Sequence, residues 1–201
     1  MVEQKIIQIK PNQLEYYIGV IDSTDLAEVS KALVNVCNKY SHKFREGEIV
    51  GTSPNNKINK EIRNVKTWLL GEDYEDVCDI HWSHYLTNML KNCFKVYATK
   101  LKEPLDLTVK EVNILKYNVG GHYKVHADHH YTMPRTLSFI VFINEDYEGG
   151  NLEFLLPDEN NIFTVEKKKG RVVVFPSNFL YRHRVVPITK GERISVVGWM
   201  C

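Results

Sequence analysis

Three side chains, two of them close in sequence and one distant, have the types needed to hold a metal ion. His126 and Asp128 end the stretch Tyr117-Asn-Val-Gly-Gly-His-Tyr-Lys-Val-His-Ala-Asp128, and a second histidine, His183, follows within Phe179-Leu-Tyr-Arg-His-Arg-Val-Val-Pro187. In an extended segment, residues two apart face the same side, so His126 and Asp128 present an imidazole and a carboxylate together. Two imidazoles and one carboxylate form the donor set that holds a non-haem Fe(II) while leaving positions open. Downstream, Arg193 in Gly191-Glu-Arg-Ile-Ser195 offers a planar fork that can take both oxygens of a carboxylate. A His-x-Asp pair alone is a weak signal, since polar residues of this kind also decorate surface turns. The order His126, Asp128, His183, Arg193 gives it weight.

The elements that must position these residues begin at Glu111. Short strand-like runs cover Val112 to Tyr117, Tyr123 to His126, Thr136 to Ile143, Asn151 to Leu155, Ile162 to Val165, Arg171 to Phe175, His183 to Val186 and Arg193 to Met200. Between them stand Gly120-Gly121, Glu148-Gly149-Gly150, Pro157-Asp-Glu-Asn-Asn161, Lys169-Gly170, Pro176-Ser-Asn178 and Lys190-Gly191, all turn signals. About eight antiparallel strands without intervening helices point to a double-sheet jelly roll. The class expected is α+β, mainly β: a double-stranded β-helix core, cupin-like, supported by two N-terminal helices. Lys167-Lys168-Lys169 falls at a hairpin tip and reads as a solvated turn.

The N-terminal half reads differently. Lys5 to Ile9 and Tyr16 to Ile21 alternate as short strands, and Asp22-Ser-Thr-Asp25 supplies helix N-cap residues. Leu26, Val29, Leu33, Val36 and Tyr40 then recur at helical spacing. Residues 41–61 show no periodicity and suggest a long mobile loop, with a substrate lid as one reading and a plain surface loop as the other. Arg63 to Leu70 reads as a strand anchored by Trp68, and about Tyr74 to Lys100 as a second helix ending before Pro104. His81 and His84 stand one turn apart on it without a third ligand nearby, and read as ordinary helix-surface histidines. One domain is expected over 1–201, divided into a helical support region, 1–110, and a jelly-roll catalytic core, 111–201.

With the strands in register behind them, these residues resemble the 2-oxoglutarate- and Fe(II)-dependent dioxygenases, specifically the prolyl 4-hydroxylase-like branch and its bacterial and viral relatives. The likeness covers about residues 111 to 201, and the N-terminal half only loosely. It is carried also by Arg135 with the strand Thr136 to Asn144, by Tyr147-Glu-Gly-Gly-Asn-Leu152, by Gly170-Arg-Val-Val-Val-Phe-Pro-Ser177, and most closely by His183-Arg-Val-Val-Pro-Ile-Thr-Lys-Gly-Glu-Arg193. The resemblance implies His126, Asp128 and His183 as metal ligands, with Arg193 and Tyr117 holding 2-oxoglutarate. Ser195, on the strand face of Arg193 by period-2 spacing, would add a hydrogen bond. Fe(II), 2-oxoglutarate and O2 are the implied cofactors, with succinate and carbon dioxide released and ascorbate as a possible reductant. Phe142 stands where the animal oxygen-sensing relatives carry a cosubstrate-binding tyrosine, so that contact is expected to be missing or replaced. The segment His129-His-Tyr-Thr-Met-Pro134 is short, which trims the substrate groove and argues against a collagen-like peptide.

The totals exclude some classes. With 26 basic and 25 acidic residues in 201, net charge +1, no global field favours nucleic acid or a membrane surface. No apolar leader or membrane-spanning run is apparent, so a cytoplasmic protein is the expectation. Cys37, Cys78, Cys93 and Cys201 lack paired spacing, and Cys37 and Cys93 lie on apolar helix faces as buried thiols would. Three function classes remain: a hydroxylase of a protein or peptide, the same chemistry on a free amino acid, other small molecule or nucleobase, and a non-enzymatic jelly-roll module binding metal or sugar. Oligomeric state is left open.

Overall fold

The computed structural model describes residues 14–49, 58–102, 104–155 and 162–201. After a 3-10 turn at Leu14–Tyr17, the chain forms β1 (Gly19–Asp22), α1 (Thr24–Lys39), β2 (Arg45–Glu46), β3 (Arg63–Asn64), β4 (Lys66–Leu69) and α2 (Val77–Leu101). There follow β5 (Val109–Tyr117), β6 (His122–His126), β7 (Leu137–Phe142), β8 (Glu148–Gly149), β9 (Leu152–Leu155) and β10 (Ile162–Val165). The chain closes with β11 (Arg171–Pro176), β12 (His183–Val185), β13 (Ile188–Lys190) and β14 (Arg193–Met200).

The larger sheet runs β1-β11-β7-β14-β5-β4-β2 and the smaller β10-β9-β12-β6-β3, with every strand pair antiparallel; β8 and β13 form a short separate ladder. This is the expected jelly roll. The central strands β7 and β14 are buried along their whole length, because both faces of the larger sheet are covered. Ile114, Phe139, Val141, Val172, Val174 and Val196 point outward and pack under α1 and α2. Leu115, Ile140, Phe142, Val173, Phe175 and Val197 point inward and meet Leu152, Phe154 and Val185 of the smaller sheet.

Both helices start as their sequences dictate. Ser23 caps α1 by accepting the Leu26 amide at 3.3 Å, and the Asp76 carboxylate caps α2 by accepting the amides of Cys78 and Asp79. α2 ends at Lys102 in the left-handed conformation, ahead of Pro104. Cys37 and Cys93 are buried free thiols, with burial pushing each up to about 12.

Some local expectations are corrected. The run Tyr16 to Ile21 is strand only from Gly19, because Leu14–Tyr17 turns first. Lys5 to Ile9 lies outside the described residues, as does the middle of the expected loop 41–61, residues 50–57. Its earlier part is ordered: Ser41–Lys43 forms a 3-10 turn and β2 pairs with β4. The single strand expected over Arg63 to Leu70 divides at Val65, which is buried between the sheets, so β3 joins the smaller sheet and β4 the larger. Side-chain alternation is the same in both strands and cannot show that a chain changes sheets.

A buried carboxylate ties this crossing to α2. Asp79, 1% exposed, accepts the Trp68 indole N–H at 3.0 Å and the amides of Gly71 and Asp73 at 2.7 and 3.3 Å. Asp79→Ala would leave those donors unpaired and is expected to lower unfolding free energy by about 2–4 kcal/mol. Denaturant unfolding followed by tryptophan fluorescence reads this out; a loss below about 0.5 kcal/mol would refute it.

Candidate metal centre and adjoining pocket

β12 lies between β9 and β6, and the β12–β6 pairing sets His183 directly across from His126. Residues far apart in sequence thereby meet over one backbone ladder, with ring centroids 4.3 Å apart. Asp128 follows just past the end of β6. Its Oδ1 lies 3.4 Å from His126 Nε2 and its Oδ2 3.8 Å from His183 Nε2. One donor atom from each residue lies within 4.8 Å of the others, and this is the only such group of His, Cys, Asp or Glu among the described residues. His81 and His84 belong to no such group; His81 stacks on Tyr85 instead. His129 and His130 turn away, their Nδ1 atoms engaged by Arg135 and Thr132.

Each histidine is oriented through its other nitrogen. Nδ1–H of His126 donates to the Lys124 carbonyl at 2.8 Å and Nδ1–H of His183 to the Tyr181 carbonyl at 3.1 Å, which turns both Nε2 atoms toward the carboxylate. Tyr123 stacks on His126 at 3.5 Å and 18°, while Phe154 and Phe175 enclose His183. The Ser138 hydroxyl donates to Asp128 Oδ2 at 2.6 Å and sits 2.8 Å from the Ser177 hydroxyl.

Burial favours a neutral His183, and with the neighbouring His126 outweighs the attraction of Asp128, pulling its pKa down to about 4. Burial would raise the Asp128 carboxyl, but His183, His126 and the Ser138 bond together hold it below the usual carboxylate range. At neutral pH the cluster therefore presents a free imidazole lone pair beside an ionised carboxylate, as metal binding requires.

Beyond the cluster a narrow pocket of about 30 Å³ extends along one face of the larger sheet. Its floor is set by register: on β14, Arg193 and Ser195 pair with Tyr117 and Leu115 of β5, and all four point inward. Arg193 is 1% exposed. Its Nη1 donates to the Gly150 carbonyl at 2.9 Å, its Nε has no partner, and no carboxylate pairs with it among the described residues. The Gly150 carbonyl reaches it because Gly149 and Gly150 take φ of 73° and 62°, where a Cβ would lie 2.3 Å from the Pro187 carbonyl oxygen or 2.2 Å from Ile188 Cδ1. Phe142 lies beneath the guanidinium at 5.1 Å and brings no hydroxyl, so the contact expected to be missing is replaced by a ring face. The Ser195 hydroxyl is buried and unpartnered. Burial raises the Tyr117 phenol, against the opposing pull of Arg193, and keeps it a donor.

All six residues singled out from the sequence thus lie together around one pocket. Sequence reading missed Ser138, which holds the carboxylate, and Ser177, which meets the Ser138 hydroxyl. The available signal was a lone hydroxyl inside the apolar run Leu137-Ser138-Phe139-Ile140-Val141-Phe142. Every described cation also needed its neighbours before Arg193 stood out as lacking an anion.

Residues 112–201 match the family model of the 2OG-Fe(II) oxygenase superfamily. A PKHD-type hydroxylase of Idiomarina loihiensis is 31% identical over 96 residues, which are 46% of this chain and 42% of that protein. The chain thus spans about two fifths of the length of that curated relative. Among solved structures, a Pseudomonas putida prolyl-4-hydroxylase shares the fold with a TM-score of 0.67 at 22% identity, covering 91% of both chains. A prolyl hydroxylase from Trichoplax adhaerens, solved with a peptide fragment of a hypoxia inducible factor oxygen degradation domain, also has a TM-score of 0.67, at 18% identity, over 92% of this chain and 83% of that one. The resemblance read from the motifs is borne out.

Two outcomes are expected at this centre. Removing the hydroxyl that orients Asp128, in Ser138→Ala, should weaken Co(II) binding by about 10–100-fold with the fold retained; unchanged affinity in a titration of the cobalt absorption would refute the role. The metal-free protein should also lose stability as pH falls from 6.5, the ordinary histidine value, toward about 4. In that window the unfolded chain takes up a proton at His183 that the folded chain refuses, so acid favours unfolding. His183→Leu should flatten that part of the stability curve, and an identical slope would contradict it.

Proposed function

We propose that this chain, whose residues 112–201 match the 2OG-Fe(II) oxygenase superfamily, is an Fe(II)- and 2-oxoglutarate-dependent dioxygenase that hydroxylates a protein or peptide, at proline. The observation that carries the reading is Arg193. A buried guanidinium without a balancing anion costs several kcal/mol, and this one lies beside a three-donor metal cluster. A dicarboxylate spanning from the metal to Arg193 accounts for both.

His126 and His183 would hold the iron through Nε2 and Asp128 through its carboxylate. When bound, the iron supplies the oxygen chemistry, in which 2-oxoglutarate loses carbon dioxide to give succinate and the substrate gains a hydroxyl. The chain's own residues bind and orient. Arg193 takes the far carboxylate through the donors its Gly150 bond leaves over, and Ser195 and Tyr117 supply hydroxyl donors on the same sheet face. Phe142 backs the guanidinium, while Leu115, Ile140 and Val197 keep the pocket dry. No side chain is needed as a general acid or base, since the chemistry belongs to the metal and cosubstrate.

Hydroxylation at proline is in keeping with the name of the Pseudomonas putida structure, and a peptide substrate with the Trichoplax protein's bound peptide fragment. Residues 1–201 act as one unit in this reading, with the helices backing the sheet that carries Arg193 and Ser195.

Anaerobic titration of Fe(II)-loaded protein with 2-oxoglutarate tests the assignment. A weak visible metal-to-ligand charge-transfer band should develop, need about 30-fold or more cosubstrate in Arg193→Ala, and be absent in His183→Ala. No band in folded, iron-loaded wild-type protein would overturn it.

A further inference from the structure

From the pocket a groove of about 340 Å³ runs outward over Thr67, Leu69, Glu111 and Asn113 of the larger sheet. Pocket and groove share Arg63, Tyr123, Asp128 and Trp199, which therefore form the neck between them. Most charges along the groove are already paired: Arg135 with Glu111 at 3.1 Å, Lys43 with Asp73 and Asp76 at 2.5 and 3.0 Å, and Lys60 with Glu46 at 3.0 Å. At the far end Arg45 and Glu72 carry opposite charges, without an ion pair among the described residues, and leave no net sign there.

Arg63 differs. Its Nη1 donates to the main-chain carbonyl of Glu48, its Nε is buried without a partner, and no carboxylate lies within ion-pair distance among the described residues. It stands over the Tyr123 ring at 4.8 Å, held there because β3 pairs with β6 and sets Arg63 opposite Tyr123. The neck thus holds a cation with no ion pair among the described residues, one ring away from His126. A fork fixed in advance loses little freedom on gaining a partner, which suits it to reading an anionic group.

We propose that Arg63 is a specificity-determining residue that selects peptides carrying an acidic side chain next to the hydroxylated position. This rests on the peptide reading above and narrows it. Arg63 lies in the half of the chain outside the family match, so the preference would be a property of this protein and not of the matched core.

The test uses full-length protein loaded with Mn(II) and 2-oxoglutarate, and fluorescein-labelled nine-residue peptides with a central proline flanked by Glu, Gln or Lys. Binding by fluorescence anisotropy should favour the Glu peptide over the Gln peptide by about tenfold, with the Lys peptide weakest. Arg63→Lys should keep that order, Arg63→Gln should level it, and Arg63→Glu should invert it. Equal binding of the three peptides to wild type, or binding of none, would overturn the proposal. So would a uniform loss in Arg63→Gln with the order preserved, which would mark Arg63 as a support for Tyr123 and His126 alone. Failure of the dioxygenase reading shows itself separately, as a missing Fe(II)–2-oxoglutarate band.

Discussion

The antiparallel contact of β12 with β6 is the interaction on which the rest depends. It brings His183 across from His126, whereas His129 and His130, nearer in sequence, are engaged by Arg135 and Thr132. Because β12 is held on its other side by β9, the pair cannot slide without breaking two ladders, and a slip of one residue would turn His183 away from Asp128. Rings packed on both histidines, Tyr123 on one side and Phe154 and Phe175 on the other, fix orientation once register has fixed position.

The larger sheet solves a second problem, which is how to bury a cation. Period-2 alternation divides β14 between two tasks: Ile194 and Val196 pack beneath the helices, while Arg193, Ser195, Val197 and Trp199 face the interior. The outward residues bury apolar surface and stabilise the strand. The inward ones are then tolerated although Arg193 and Ser195 are incompletely satisfied. Without helices on the outer face, the strand that presents Arg193 would lose much of the apolar burial holding it in the sheet.

How much of this the sequence disclosed follows from the physics of each feature. His126 and Asp128 were legible as a pair because their relation is local, two residues along an extended segment. The jelly roll was legible because turn residues separate short apolar runs. His183 and Arg193 could be joined to the pair only through family resemblance, since no local rule fixes which strands lie side by side. Ser177 and Asp79 were not legible, and Ser138 offered only its place in an apolar run. Each is a polar residue whose importance lies in partners brought by folding, and an isolated Ser or Asp reads the same whether buried or exposed. The division of Arg63 to Leu70 at Val65 was hidden for a related reason, since a strand that changes sheets keeps its alternation.

That division at Val65 also separates two kinds of work along the chain. Every residue assigned to metal or cosubstrate lies within 112–201, the stretch that matches the oxygenase family. The outer groove draws much of its wall from Lys43, Arg45, Arg63, Thr67 and Leu69, all outside it. β4 extends the larger sheet and continues the floor beyond β5, whereas β3 extends the smaller sheet and delivers Arg63 beside the strand of His126. One bend thus gives both sheets of the jelly roll an extra edge, and those edges line the approach to the three-donor cluster. β2 and β4 thus shape the outer groove at a distance from the β12–β6 ladder, whereas β3, paired with β6, couples the groove to the strand of His126.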